Sequence, residues 1–312
     1  MNTVLSRVAE SLFWIGRYLE RADGTARILD VHLQLVLEDP SIDEDQACRS
    51  LLSIMGLEQV GDSAVTSGDV LELLAEDQSH PASIAYSLYS ARENARRARE
   101  IISTELWECL NAIATKMPRR LAADRVHSFC TWVRERSAMA SGITYTTMSR
   151  DEAYQFFVLG QFLERADMTA RLLATSELTQ EGGPSWTAIL RSCGAYESCL
   201  RTYRGVPSTP DAAEFLLLDR LFPRSIAFSI QRALGALGEL DPGTSRRGGA
   251  STAQRLLEQA TSSLQYRPIE EVVAELPYHM DQIQVATSAA SEAVKARFFP
   301  SEATPTWVGE KA

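Results

Sequence analysis

The sequence is poor in lysine and lacks both basic runs and long apolar stretches. Only three of its 31 basic residues are lysines, at positions 116, 295 and 311, and the net charge is −10. An acidic chain without a basic run matches the nucleic-acid backbone poorly, so we expect no nucleic-acid partner. No apolar stretch reaches the roughly 18 residues that span a bilayer, and the opening residues lack the pattern of a signal peptide. We therefore expect a cytoplasmic protein outside the membrane.

The residue patterns of common metal, nucleotide and nucleophile sites are also missing. The five cysteines are odd in number and contain no CxxC pair, which argues against a disulfide framework and a zinc knuckle. The four histidines are scattered, without the HExxH or ExxH spacing of metal-binding helices. No phosphate-binding glycine loop and no GxSxG sequence occurs. We predict no metal and no cofactor.

Helical periodicity dominates the chain. Apolar residues recur at alternating intervals of four and three from Val8 to Val36, which predicts one long amphipathic helix ending before Asp39. Further helices are predicted at 43–56, 67–77, 82–116, 119–140, 150–179, 185–204, 211–236, 250–265 and 277–298. Since strand alternation is absent, we predict an all-α, multi-helix bundle. We expect one domain over 1–299, a flexible linker at 241–251 and a disordered tail at 300–312.

One helix occurs twice. Residues 13–29 align without a gap to residues 157–173, with 11 of 17 positions identical at a spacing of 144. Repeats this far apart predict two helical halves, about 1–140 and 145–299, related by a possible pseudo-twofold axis. The alternative is a duplicated helix in unrelated surroundings.

Each copy carries acidic and basic side chains beside the apolar seam. Glycine, two carboxylates and arginine share one helical stripe, so the charged groups are expected to converge. In the two copies these residues are Gly16, Glu20, Asp23 and Arg27, then Gly160, Glu164, Asp167 and Arg171. Arg21 and Arg165 point about 100° away from this stripe and need partners from elsewhere. The apolar surroundings of Arg165 predict a semi-buried guanidinium that a carboxylate or anionic ligand must meet.

Two interpretations of these clusters stay open. In the first, they form a reciprocal ion network that fixes the register of the two helices. In the second, they line a polar cleft for a peptide, an amino acid or a phosphate. Paired carboxylates alone are weak evidence for acid–base catalysis.

A second charged region lies within 82–116. Glu93, Glu100, Trp107 and Asn111 fall near one stripe of the predicted helix, and Arg92, Arg96 and Arg99 fall on the next. This arrangement could hold an anionic peptide or a nucleotide. The alternative is an exposed helix with internal ion pairs and one packed tryptophan.

Four blocks of the sequence together resemble the alpha-E family, a bacterial helical domain of unknown function with a Glu-Arg motif. They are the opening LSRVAESLFWIGRYLERADGTARILDV and the segments 83–111, 159–173 and 214–225. The resemblance implies functional positions at Arg17, Glu20, Arg21, Asp23, Thr25, Arg27, Arg92, Glu93, Asn94, Arg96, Trp107, Glu108, Asn111, Glu164, Arg165, Asp167, Arg171, Asp219, Pro223 and Arg224. Gln161 departs from the pattern, because the first copy has Arg17 there.

The resemblance further implies association with circularly permuted ATP-grasp ligases and transglutaminase-like peptidases. The leading hypothesis is a helical accessory subunit that binds the ligase, its peptide or amino-acid substrate, or both. In it, arginines near Arg92 and Arg224 face the partner or substrate. One alternative is an enzyme of peptide synthesis or modification that uses the twin clusters. A second is a purely structural helical homo-oligomer.

Overall fold

The computed structural model describes residues 6–38, 40, 42–57, 63–174, 186–242 and 251–300. These residues form helices and connecting turns without a β-strand, which confirms the all-α prediction. The α-helices are α1 Ser6–Glu38, α2 Glu44–Ile54, α3 Ser67–Leu71, α4 Ile84–Arg97, α5 Thr104–Lys116, α6 Val126–Thr147, α7 Glu152–Ala174, α8 Trp186–Ser192, α9 Tyr196–Tyr203, α10 Thr209–Leu218, α11 Ile226–Leu240, α12 Thr252–Gln265, α13 Ile269–Ala274 and α14 Leu276–Phe298. A π-helical turn, Glu72–Glu76, extends α3.

The two repeated helices, α1 and α7, form the centre of the bundle. They pack against each other, while α4 and α6 flank α1, and α11 and α14 flank α7. Almost every side chain of α7 is buried, which explains why its apolar pattern is less one-sided than that of a surface helix. None of the described helices combines the length and apolar character required to cross a bilayer.

Two glycines allow α1 and α7 to approach closely. A Cβ atom on Gly16 would overlap the carbonyl oxygen of Phe157, and one on Gly160 would overlap the carbonyl oxygen of Phe13. Both phenylalanine side chains are fully buried beside this crossing. The contact is therefore reciprocal, and the backbones are too close to admit a side chain at either glycine.

Several predicted helix boundaries are wrong. The predicted helix 82–116 is two helices, and the Ser103 hydroxyl starts the second by accepting a hydrogen bond from the Leu106 N–H. The predicted helix 185–204 breaks at Gly194, whose φ of 64° lies in the left-handed region. Helix α6 occupies Val126–Thr147, several residues later than expected.

Some predictions concern residues outside the described ranges. Nearly all of the expected tail lies there, at 301–312, as does the centre of the expected linker, at 243–250. The single domain over 1–299 and its division into two halves stay predictions.

Replacing either crossing glycine with alanine should destabilise the protein. Because the new methyl group would collide with backbone atoms, we expect Gly16→Ala or Gly160→Ala to cost about 1–3 kcal/mol in the free energy of unfolding. Urea-induced unfolding measures this cost.

The matched control is Gly142→Ala in α6, where an added Cβ meets no atom within 4 Å. Alanine favours helix over glycine, so this variant should be more stable by up to about 1 kcal/mol. Equal effects in all three variants would contradict a close crossing of α1 and α7.

Candidate functional site

The two Glu-Arg motifs pair with each other across the central helices. Arg21 donates through Nε to Glu164 Oε1 over 2.5 Å and through Nη2 to Oε2 over 3.1 Å. Arg165 donates in the same way to Glu20, with both distances 2.7 Å. Each arginine thus reaches the carboxylate of the opposite helix, and the Arg165 side chain is 13% exposed, which confirms its semi-buried position.

A second arginine also binds each glutamate, and its position in the fold differs between the two clusters. Arg17 of α1 donates through Nε to Glu164 Oε2 over 2.5 Å. Arg224, just before α11, donates through Nη1 to Glu20 Oε1 over 2.9 Å. Gln161 occupies the position equivalent to Arg17, and its Oε1 accepts a hydrogen bond from the Tyr145 hydroxyl over 2.5 Å. The two clusters therefore share a core and differ at their edges.

Each aspartate of the motif pairs with the arginine four residues later in its own helix. Arg27 donates to Asp23 and Arg171 to Asp167, each through Nε over 2.8 Å. The remaining donors fix neighbouring helices: Arg171 Nη1 donates to the carbonyl oxygen at the end of α2, and Arg27 Nη1 to that at the end of α8. Of Glu20, Asp23 and Arg27, which were expected to converge, Asp23 pairs with Arg27, and Glu20 and Asp23 share the guanidinium of Arg224.

These contacts keep the carboxylates ionised. Burial alone would raise the pKa of Glu164, but the charges and hydrogen bonds of Arg17 and Arg21 outweigh burial and lower it to about 2. Burial also opposes ionisation of Glu20, whose pKa Arg165 and Arg224 nevertheless lower. Both glutamates are therefore anionic at neutral pH, with their oxygens occupied by guanidinium donors.

The turns before α4 and α11 hold matching positions around the two clusters. Arg21 Nη1 donates to the carbonyl oxygen of Pro81 over 3.3 Å, and Arg165 Nη1 to that of Pro223 over 3.4 Å. One residue later, Thr25 donates to the carbonyl oxygen of Ala82 and Thr169 to that of Arg224. The two turns thus contact the motif helices equivalently.

A sequence signal for these turns exists outside the repeated helix. Residues 77–87 align without a gap to residues 219–229, with six of 11 positions identical at a spacing of 142. This second repeat identifies the contribution of Pro81 and Ala82, which the motif helices alone do not reveal. It agrees with an internal duplication, which stays a prediction.

One cluster opens into a cleft of about 340 Å³. The charged residues of its wall come from the motif helices, and its rim includes the turn before α4. The main lining residues are Arg17, Arg21, Ala82, Glu164, Asp167 and Arg171. This volume is within the usual range for small-molecule sites, so the ion network and the polar cleft occur in the same place.

The second charged region folds differently from its prediction. Because the helix breaks after α4, Trp107 and Asn111 lie on α5 and not on the stripe of Glu93. Arg92 donates to Asn111 Oδ1 and Glu93 Oε1 over 2.8 and 2.7 Å, and its guanidinium lies 5.8 Å from the Trp107 ring centre. The Arg99 guanidinium lies 5.7 Å from the same ring. A cluster therefore forms across the α4–α5 hairpin.

The remaining predicted positions have varied settings. Arg96 pairs with Glu93, Asn94 donates to the carbonyl oxygen of Ser90, and Glu108 is exposed on α5. Asp219 accepts hydrogen bonds from two backbone N–H groups in the turn that follows it, which is a turn-forming role.

Arg224 is partly buried beside the motif helices. Its side chain is 19% exposed and pairs with Glu20 and Asp23. Burial opposes its charge, but these two carboxylates raise its pKa above the usual value. The structure places Arg224 inside the ion network, and its role towards a partner or substrate stays a prediction.

Comparison with known proteins identifies the wider family. The family model named Alpha-E, described as a predicted alpha-helical domain with a conserved ER motif, matches residues 4–299. The chain belongs to the Alpha-E family. Each central helix contains a Glu-Arg sequence of the kind that the family description names, Glu20-Arg21 in α1 and Glu164-Arg165 in α7.

The Alpha-E relatives found among curated proteins are uncharacterized. One protein of Mycobacterium bovis and one of Mycobacterium tuberculosis strain H37Rv are each 26% identical over 294 residues, which cover 85% of this chain. The match covers 33% of each relative, so the chain spans about a third of their length. No solved structure matches the chain.

Glu164→Gln should destabilise the protein strongly. The neutral amide leaves Arg17 and Arg21 buried without their countercharge, and losing one member of a buried ion pair costs about 3–5 kcal/mol. Chemical denaturation measures this loss. Glu93→Gln is the control: this carboxylate is 45% exposed and its pairs are surface contacts worth less than about 1 kcal/mol.

The pH dependence provides a second measurement on the same variant. The folded pKa of Glu164, about 2, lies below its ordinary value of 4.5. Its contribution to stability is therefore complete above pH 4.5 and is lost as the pH falls from 4.5 towards 2. Wild-type stability should fall over this window, and Glu164→Gln should fall less steeply. Unchanged stability in Glu164→Gln would contradict the network and favour the enzyme hypothesis.

Proposed function

We propose that this Alpha-E protein is a non-catalytic accessory subunit of an ATP-grasp peptide or amide ligase, and that it binds the ligase and its peptide substrate. The observation that carries the proposal is the occupied state of the two buried glutamates, of which Glu164 lines an open cleft. Three guanidinium donors meet each glutamate, from Arg21 and Arg17 on Glu164 and from Arg165 and Arg224 on Glu20. Carboxylates held in this way suit a role in stabilising the fold and in binding a ligand.

Acid–base catalysis fits these glutamates poorly. A general base needs a pKa near the working pH and access to the proton it removes. Glu164 has neither, since its pKa is about 2 and its side chain is 1% exposed. This favours the binding hypothesis over an enzyme that uses the twin clusters.

The thiols fit nucleophilic catalysis equally poorly. Burial raises the pKa of Cys48, Cys193 and Cys199 to about 11, and of Cys130 to about 12. Burial also raises the pKa of the remaining cysteine, Cys109. Reactive cysteines need the opposite shift, because the thiolate is the nucleophile. A covalent acyl intermediate on a cysteine of this chain therefore has little support.

The family resemblance supplies the kind of partner. The resemblance to the alpha-E family implies association with ATP-grasp ligases, and the matched segment makes up a third of each mycobacterial relative. In those relatives the matched segment is therefore part of a larger chain, which is consistent with a function alongside other domains. An ATP-dependent partner and free cysteines suit the cytoplasm, where we propose that the protein acts.

The α4–α5 hairpin is the surface that we assign to the ligase. Arg96 is 62% exposed and Arg97 and Arg99 are also exposed, while Trp107 lies half-buried beneath the arginines. Arginine and tryptophan are enriched in protein–protein interfaces. Both side chains combine an apolar part with a polar end, which suits a contact surface. A carboxylate-rich surface on the ligase would complement this patch.

Charge reversal on the hairpin should weaken capture of the ligase. In co-purification with an ATP-grasp ligase from the same organism, Arg96→Glu combined with Arg99→Glu should reduce the captured ligase at least several-fold, because both new charges repel an acidic surface. The loss should be larger at low salt, where electrostatic steering is strongest.

The matched control reverses two exposed arginines elsewhere, Arg201 in α9 and Arg255 in α12. Within the part of the chain that the structure describes, each donates to a side chain three residues earlier in its own helix. The control should capture the ligase like wild type. Equal loss in both double variants would contradict the assigned surface, and no capture by wild type would favour the structural homo-oligomer.

A further inference from the structure

The two ion clusters differ by one arginine in equivalent turns. Arg224 stands in the turn before α11, and the equivalent position in the turn before α4 is Ala82. The equivalence rests on contacts, because the backbone carbonyl oxygen of each residue accepts a hydrogen bond from the matching threonine, Thr169 or Thr25. The same place in the fold thus holds a guanidinium in one cluster and a methyl group in the other.

Arg224 shows what the missing guanidinium would contact. Its Nη1 lies 2.9 Å from Glu20 Oε1 and its Nη2 lies 2.7 Å from Asp23 Oδ2, so its planar fork bridges both carboxylates. In the other cluster these acceptors are Glu164 Oε1, which receives Arg21, and Asp167 Oδ2, which receives Arg171. A carboxylate oxygen has two acceptor sites, so both can accept a second donor.

The cleft lies where that guanidinium is missing. Ala82, Glu164 and Asp167 all line its wall. The Asp167 side chain is 11% exposed, compared with 5% for Asp23, whose equivalent space Arg224 covers. The aspartate is therefore about twice as exposed in the cluster with alanine.

We propose that this cleft binds a guanidinium group of a ligand, which takes the position that Arg224 occupies in the other cluster. The proposal rests on the proposed function in naming the substrate class, an arginine or a peptide that ends in arginine. Three guanidiniums, from Arg17, Arg21 and Arg171, already face two carboxylates in the lining. This excess of one positive charge favours a ligand with its own carboxylate.

Calorimetric titration with L-arginine tests the proposal. Wild type should bind one arginine per chain, and citrulline, the uncharged analogue of nearly the same shape, should bind at least about tenfold more weakly because it lacks the charged fork.

Ala82→Arg should fill the cleft with its own side chain and reduce arginine affinity at least about tenfold. Ala82→Gln supplies a side chain without the charge and serves as the control for folding, measured as Tm.

The converse variant opens the second cluster. Arg224→Ala should lower Tm and create a second arginine site, so that two arginines bind per chain and arginine raises the Tm of this variant more than that of wild type. Asp167→Asn provides an independent check if Ala82→Arg folds poorly, and it should lose the wild-type site.

The proposal is overturned if wild type fails to bind arginine, if citrulline binds as tightly, or if Ala82→Arg or Asp167→Asn folds and binds arginine like wild type. Failure to capture the ligase is a separate result. Arginine binding without ligase capture would retain the guanidinium site and reject the accessory role. Ligase capture without arginine binding would do the reverse.

Discussion

Pairing of buried glutamates with arginines of the opposite helix is the constraint on which this bundle depends. Gly16 and Gly160 allow α1 and α7 to cross in backbone contact, and the glutamates one turn further reach across the crossing. Unpaired, each charge would be costly in this interior, so only the register that pairs them is favourable. The surrounding helices then attach to fixed positions, since Arg27 and Arg171 bind the carbonyl ends of α8 and α2.

Because of this pairing, we expect ligand binding at the outer residues of the network. Its central carboxylates are ionised and occupied, whereas the outer positions vary between the clusters. One cluster has Arg17 and Ala82 where the other has Gln161 and Arg224. These exchanges leave the Glu-Arg core unchanged, and Arg17 and Ala82 line the cleft beside Glu164. A repeated Glu-Arg core with different edges can thus provide rigidity and recognition with one set of residues.

Much of the centre could be predicted from the sequence, because a long apolar stripe and an 11-of-17 repeat leave little choice of structure. A helical stripe gives the direction of a side chain but not its distant partner, so Arg21 could be shown to need a countercharge that only the fold identifies as Glu164. The breaks at Ser103 and Gly194 were missed because helical spacing continues through them, while capping and a left-handed φ decide the boundary. The inward position of Arg224 likewise depends on tertiary contacts.

The most direct measurement is a double-mutant cycle on Arg21 and Glu164. The free energies of unfolding of Arg21→Met, Glu164→Gln and the double variant would be compared with that of wild type. Because the two side chains share a bidentate buried contact, removing both should cost less than the sum of the single losses by at least about 1 kcal/mol. Losses that add to within about 0.5 kcal/mol would contradict direct pairing of the two helices through their Glu-Arg motifs.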